Sequence, residues 1–222
     1  DYKRAMIIGS KQTYGKGTVQ NVLDLNRMVR SNTNGDLGAL KFTTQKYYRI
    51  NGGSTQLEGV KSDIVVPDKY TYVDFGEKDQ ENPLEWDMIE PVSYEPWKSF
   101  FDYNKTISAS KSRMESSEFI SLIDENARWI KSIRDNNIYH LNYKKFKNNL
   151  LENEKKAKKY KKLSEYSSDL TFKSLPYEID LISKDTTLGE KRKRWHKNLT
   201  KDIYVDEALN VLNDLRLSYV DK

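Results

Sequence analysis

The chain has 222 residues, of which 36% are hydrophobic and 32% charged, and it carries a net charge of +5; that length has room for one or two domains with a charged surface. No apolar run approaches the roughly 20 residues of a spanning helix, so no membrane span is expected. The sequence has no cysteine, which excludes disulfides and thiolate metal sites and is compatible with a periplasmic protein.

Taken in order, Ala5 to Gly9 reads as a short buried strand, Ser10 to Gly15 as its turn, and Thr18 to Leu25 as a second strand. Turn residues crowd Arg30 to Gly38 (Ser31, Asn32, Asn34, Gly35, Gly38), which predicts a hairpin loop. Leu40 to Ile50 alternates at period two and carries Phe42, Tyr47 and Tyr48, which predicts a long strand. Asn51-Gly52-Gly53 signals a reversal, because asparagine and glycine accept positive φ. Ser54 to Leu57 would be the returning strand, and Asp63 to Val66, closed by Pro67, the last of the β-rich region.

Tyr70 to Pro96 is too punctuated by Gly76, Pro83, Pro91 and Pro96 for a long helix and reads as a connector. Trp86 within it is expected to pin the loop to a core, and Trp97, Phe100, Phe101 and Tyr103 to begin the packing of the next unit. From Ser108 the period becomes helical. Phe119, Leu122, Ile123, Ile130 and Ile133 place one stripe on a helix of residues 110 to 136, stopped by Asn136-Asn137. After a short link, the lysine-rich segment predicts a second helix to about Tyr166, with Phe146, Leu150, Ala157 and Tyr160 on its stripe. Ser167 to Leu199, interrupted by Pro176 and Gly189, reads as irregular. Ile203 to Tyr219 closes the chain as a helix that should dock through Ala208, Leu209, Val211, Leu212 and Leu215. The fold class is therefore α+β. A partial β-rich core occupies residues 1–69, a connector 70–107, and a mostly helical carboxy-terminal domain 108–222.

The chemistry concentrates in Tyr14-Gly15-Lys16-Gly17-Thr18-Val19-Gln20, a lysine held between two glycines. Glycine admits positive φ and close approach, so a side chain between two of them can be aimed into a site. If the segment is extended, Lys16, Thr18 and Gln20 share one face, and the glutamine amide oxygen can accept from the ammonium. A lysine serves as general base only when its amine is neutral near pH 7, which burial can supply. Spacing alone is equally served by a glycine-flanked turn with a solvated lysine.

The charge would permit an acidic partner such as nucleic acid or an anionic membrane, and two basic segments, residues 144–162 and 191–197, could grip phosphates. They also read as a solvated helix face and an exposed loop or helix start, and the acidic stretch Glu77 to Glu95 argues against a uniformly basic face. No nucleic acid is expected. His140 and His196 stand alone, and no phosphate loop is present, so neither a metal nor a cofactor is expected.

Ala5 to Gln20 (AMIIGSKQTYGKGTVQ), Leu40 to Gln56 (LKFTTQKYYRINGGSTQ) and Gly59 to Pro67 (GVKSDIVVP) resemble the carboxy-terminal processing peptidases, a serine–lysine family, and its tail-specific branch in particular. Trp86-Asp87 resembles the Trp-Asp of the same branch. The resemblance implies that Lys16 is the general base and Gln20 the glutamine that orients it. Ser62 stands where the family has proline, which should loosen a turn. The family's nucleophilic serine lies upstream of the lysine across one helix, and Asp1 to Arg4 look like the end of that helix. The serine is thus expected before Asp1, as are the family's peptide-binding module and signal peptide. Ser10 is too close in sequence to Lys16 to replace it. The resemblance therefore implies a carboxy-terminal fragment, inactive alone, of a periplasmic peptidase that acts on proteins with apolar carboxy termini. An incomplete sheet would expose an edge for self-association. The alternative is a helical module that binds protein or nucleic acid through the two basic segments.

Overall fold

The computed structural model describes residues 1–29, 31–33, 35–98 and 100–218. Four strands, β1 (Ile8–Gly9), β2 (Thr18–Asp24), β3 (Ala39–Lys46) and β4 (Ile64–Val65), precede six helices. These are α1 (Tyr103–Ser116), α2 (Glu118–Asp135), α3 (Tyr143–Tyr160), α4 (Pro176–Lys184), α5 (Thr186–Leu199) and α6 (Ile203–Leu217). The fold is α+β, with strands first and helices after. The chain forms two compact units, one of residues 1–5, 12–61 and 74–98, the other of residues 6–11, 62–73 and, among those described, 100–218.

The first unit is built on the antiparallel ribbon β2–β3, which runs from the pair Thr18 and Lys46 to the pair Asp24 and Ala39. The register shifts between Val19 and Gln20, leaving Thr44 as the extra residue of a bulge. Beyond the ribbon Asp24 caps a 3-10 turn (Leu25–Arg27), and Asn26 donates to Asp36 at 2.6 Å and accepts from the Leu37 amide at 2.9 Å. Arg30 and Asn34 of the expected hairpin loop lie outside the described residues. The reversal at Asn51-Gly52-Gly53 forms with Gly52 at φ 82, the Gly52 amide donating to Arg49 O and the Arg49 amide to Gly53 O.

Two strand expectations fail here. The strand expected to reach Ile50 ends at Lys46, and Ser54 to Leu57 is not a strand but a looped segment with a single bridge from Ser54 to Tyr48. The reason is where its backbone bonds go: the Ser54 amide donates to Asp87 O, the Gln56 amide to Ser54 Oγ and the Leu57 amide to Gly15 O. Residues 74–98 contribute only a 3-10 turn (Glu77–Asp79) and are pinned by Trp86, whose indole donates to Ser54 O at 2.9 Å.

In the second unit β1 and β4 pair in parallel, Ile8 opposite Ile64. Ile64 and Val66 meet Ile120 of α2 and Val211 of α6 in the core, with Ile8, Ile107, Met114, Ile203 and Leu215 packed around them. Burying side chains of this size contributes about 1.5–3 kcal/mol each. The single helix expected over 110–136 is two helices broken at Ser117, whose backbone is extended and whose hydroxyl accepts from the Ile120 amide. A serine cap with Glu118 in the first turn is a strong start signal, and it overrides the continuity of the apolar stripe.

The segment expected to be irregular, 167–199, holds α4 and α5. Pro176 occupies the first turn of α4, where no amide is needed, and Asp185 caps α5 by accepting from the Leu188 amide at 3.0 Å. Gly189 lets the two helices approach: a Cβ there would lie 3.2 Å from Ile182 Cγ2. α6 follows the reading in extent as far as Leu217, but it docks through Val211 with Ile203, Tyr204 and Leu215, while Leu209 and Leu212 of the expected face are exposed; Tyr219 lies outside the described residues.

Candidate active site

Lys16 sits one residue before the start of the Gly17–Thr18 entry into the ribbon, and the two glycines around it are buried while its own side chain is exposed, so the burial expected of a lysine base is not supplied by the described residues of this chain. Each glycine is dictated by the segment that crosses it. Gly15 has φ 89, and a Cβ there would lie 2.8 Å from Leu57 O. A Cβ on Gly17 would lie 2.5 Å from the Gln56 amide nitrogen and 2.6 Å from Ser54 Oγ. The chain can pass between these atoms only without side chains, so the lysine projects from a fixed backbone.

Its amine donates to Gln20 Oε1 at 3.0 Å. The contact the spacing suggested is therefore made, although the shared strand face is not: Thr18 is buried, Lys16 exposed and Gln20 half-buried. The strand begins only at Thr18, so Lys16 lies outside it. The acceptor is a neutral amide, and among the described residues no carboxylate forms an ion pair with Lys16.

Around this pair stand residues that sequence reasoning did not single out for a role. Gln56 is fully buried (0% exposed); its Oε1 accepts from the Gly17 amide at 2.9 Å and its Nε2 donates to Leu84 O at 3.0 Å. Thr55 donates its hydroxyl to Lys16 O at 2.9 Å, and Tyr47 donates to the same carbonyl. Below the ribbon, Asp87 Oδ2 accepts from Lys46 Nζ and Tyr48 OH, each at 3.0 Å. The Lys46 hydrogen bond holds the Asp87 carboxyl below its ordinary range, while burial, then the Asp87 carboxylate, push the Tyr48 phenol up. A signal for Gln56 was available: an amide side chain at the end of Gly-Gly-Ser-Thr, where the chain must turn and backbone groups need partners.

The other sequence candidates lie in the second unit. Ser10 follows β1, and its carbonyl accepts from the Ser62 hydroxyl at 2.6 Å, so a hydrogen bond holds the turn that a proline ring holds in the family pattern. In the second basic segment Arg192 pairs with Glu178 and Lys193 with Glu190. The first segment takes in nearly all of α3, none of whose residues is buried, and Lys159 in it pairs with Glu125 of α2 at 2.6 Å. Among the described residues no group of three or more His, Asp or Glu side chains could hold a metal, and no helix is long and apolar enough to cross a membrane.

Comparison with known families divides the chain along its length. Residues 1–66 match Peptidase family S41, and residues 70–216 match the C-terminal domain of tail specific protease. The chain belongs to the tail-specific protease family. It is 33% identical over 224 residues to the tail-specific protease of Haemophilus influenzae, an alignment that covers 97% of this chain and 31% of that protein. It is also 43% identical over 74 residues to the carboxy-terminal-processing protease of Bartonella bacilliformis, covering 32% of this chain and 15% of that protein. The chain thus spans less than a third of the length of these tail-specific and carboxy-terminal-processing relatives.

Proposed function

We propose that this chain is the carboxy-terminal part of a serine–lysine endopeptidase that cleaves proteins near their carboxy termini, with Lys16 as general base and Gln20 orienting its amine. What supports the reading is the 3.0 Å contact between Lys16 Nζ and Gln20 Oε1 on a backbone that admits only glycine to either side, in a segment that matches the peptidase family. The nucleophilic serine and the oxyanion donors come from the part of the longer protein that precedes this chain.

In that enzyme Lys16 takes the proton of the serine hydroxyl as its oxygen bonds to the scissile carbonyl carbon, and an oxyanion forms. As the tetrahedral adduct collapses, the lysine ammonium passes the proton to the departing amine nitrogen. An acyl-serine ester remains. A water then attacks the ester with the same lysine as base, the lysine ammonium returns that proton to the departing serine oxygen as the C–O bond breaks, and the carboxylate product leaves. Gln20, a neutral acceptor, holds one N–H of the amine so that its lone pair faces the hydroxyl. The substrates are proteins with apolar carboxy termini, the compartment is the periplasm, and the 222-residue chain by itself supplies a base without a nucleophile.

The experiment is cleavage of an unfolded reporter with an apolar carboxy terminus by the full-length protein and by this chain alone. Full-length protein should cleave, and Lys16→Ala and Lys16→Arg should both abolish cleavage, since a guanidinium stays protonated at any working pH. The 222-residue chain should give nothing above buffer. Substantial turnover by Lys16→Arg would overturn the general-base assignment.

A further inference from the structure

We infer that Thr55-Gln56-Leu57, together with Tyr47, forms a clamp that positions Lys16 for proton transfer, with Gln56 its central positioning residue. The inference rests on the reading of Lys16 as general base. The peptide group between Lys16 and Gly17 is gripped at both polar ends: its carbonyl accepts from the hydroxyls of Thr55 and Tyr47, and its N–H donates to Gln56 Oε1. One peptide earlier, the Gly15 carbonyl accepts from the Leu57 amide at 2.7 Å; one peptide later, the Gly17 carbonyl accepts from the Tyr47 amide at 3.1 Å. Three consecutive carbonyls are therefore held, and the Cα of Lys16 cannot shift without breaking a bond on either side.

Gln56 can hold its end because its own amide is oriented. Its Nε2 donates to Leu84 O at 3.0 Å and lies 3.4 Å from Glu77 Oε1, which leaves Oε1 turned to Gly17. No water competes at a side chain with 0% exposure. The steric side of the clamp is equally tight, since the 54–57 segment fills the space that a Cβ on Gly15 or Gly17 would need. A general base works only within hydrogen-bond reach of the proton it takes, and a misplacement of about 1 Å costs on the order of a hundredfold in rate. A flexible four-carbon lysine stem, caught only by Gln20, needs its root fixed if the amine is to recur at one point.

The test separates positioning from simple support of the fold. In full-length protein, kcat and KM are measured per folded molecule, well below the unfolding midpoint, for Gln56→Leu, the double variant Thr55→Val/Tyr47→Phe, Thr55→Ser and Lys16→Ala. Gln56→Leu is expected to lower kcat by about 10- to 100-fold, with KM changed by less than about threefold. The double variant, at half-exposed positions that tolerate the loss, should lower kcat by about tenfold, and Thr55→Ser, which keeps the hydroxyl, should stay near the parent. A purely structural clamp would lower the unfolding midpoint while leaving kcat per folded molecule unchanged in both Gln56→Leu and the double variant, and that result overturns the inference. If Gln56→Leu does not fold, the double variant decides alone. Retained cleavage by Lys16→Ala overturns the base assignment and the clamp with it, whereas an inactive Lys16→Ala beside unchanged clamp variants overturns the clamp only.

Discussion

Removal of the Glu207 carboxylate should cost the helical unit about 3 kcal/mol. Glu207 on α6 is 7% exposed and accepts from the fully buried Ser110 hydroxyl of α1 at 2.6 Å. It also accepts from the Arg113 guanidinium through two nitrogens, at 2.8 Å and 3.2 Å, while the third nitrogen of Arg113 donates to Asp214 at 2.6 Å. Glu207 is the largest reason that the Arg113 guanidinium is held above its ordinary value. Losing a charge-assisted bond to a buried hydroxyl costs about 1.5–3 kcal/mol. Breaking a buried pair adds about 3–5 kcal/mol when the partner is left alone, but Arg113 is a third exposed and keeps Asp214, so only a fraction of that applies. The assay is denaturant unfolding of the whole chain followed by far-UV circular dichroism for Glu207→Ala, Ser110→Ala and the pair. The two changes should couple by about 1–2 kcal/mol, because they share one hydrogen bond. A loss below about 0.5 kcal/mol for Glu207→Ala, or strict additivity with Ser110→Ala, would refute the reasoning.

In the full-length protein Gln20→Ala should lower cleavage less than Lys16→Ala, since orientation is weakened while the base stays; equal losses, measured as kcat/KM on one reporter, would make Gln20 part of the proton path instead. Gly17→Ala should destabilise this chain by about 1–3 kcal/mol in urea unfolding, the usual cost of overpacking, because the new Cβ would sit 2.5 Å from the Gln56 amide nitrogen; an unchanged midpoint would mean that the 54–57 segment yields freely. Tyr204 donates to Pro67 O at 2.9 Å, and burial, helped by Asp68 and Asp202, pushes its phenol up to about 12. The unfolded phenol ionises near pH 10, so the stability from this group is complete below that pH and is lost as pH rises toward about 12. Tyr204→Phe should flatten that part of the alkaline limb in unfolding midpoints taken against pH, and an identical limb would exclude Tyr204 as its source.

What the sequence made legible follows the range of the interactions involved. The β2–β3 ribbon could be read because β-branched residues and a turn-rich loop are local signals. The Lys16 to Gln20 contact spans four residues and could be read for the same reason. Ser54 to Leu57 could not: the reversal before it suggests a returning strand, but its backbone partners are Gly15 and Asp87, more than 30 residues away in either direction. Gln56 escaped with it: the turn beside it marks backbone groups in need of partners, but not that the partner would be the Gly17 amide 39 residues away. The helical errors have another cause. Pro176 and Gly189 are breakers in a helix interior, yet at a first turn and at a close helix contact they serve the helix, and only position tells the two apart. At Ser117 the apolar stripe ran on while the cap signal said stop, and capping prevailed.

The two family matches divide this chain between residues 66 and 70, but the atoms that hold Lys16 do not respect that division. Gln56 is oriented by Leu84 O, Ser54 is held by the Trp86 indole, and the Glu77 amide donates to the carbonyl of Tyr14, immediately before Gly15. Gln80 Nε2 reaches the Tyr14 hydroxyl at 2.6 Å, and the Tyr14 ring meets Phe75 edge-on at 5.8 Å. Leu84, Trp86, Glu77, Gln80 and Phe75 all belong to the stretch matched by the carboxy-terminal domain, yet they fold with residues 12–61 in one compact unit. Residues 74–98 therefore pack against the lysine loop. A protein cut at the family boundary would keep Lys16 and Gln20 in sequence while losing the acceptor that orients Gln56. Burial would then turn against that side chain, because an amide without its partner costs about 1–3 kcal/mol in place of stabilising the loop. Residues 74–98 of the carboxy-terminal match thus fold with the peptidase segment and hold its lysine loop in shape.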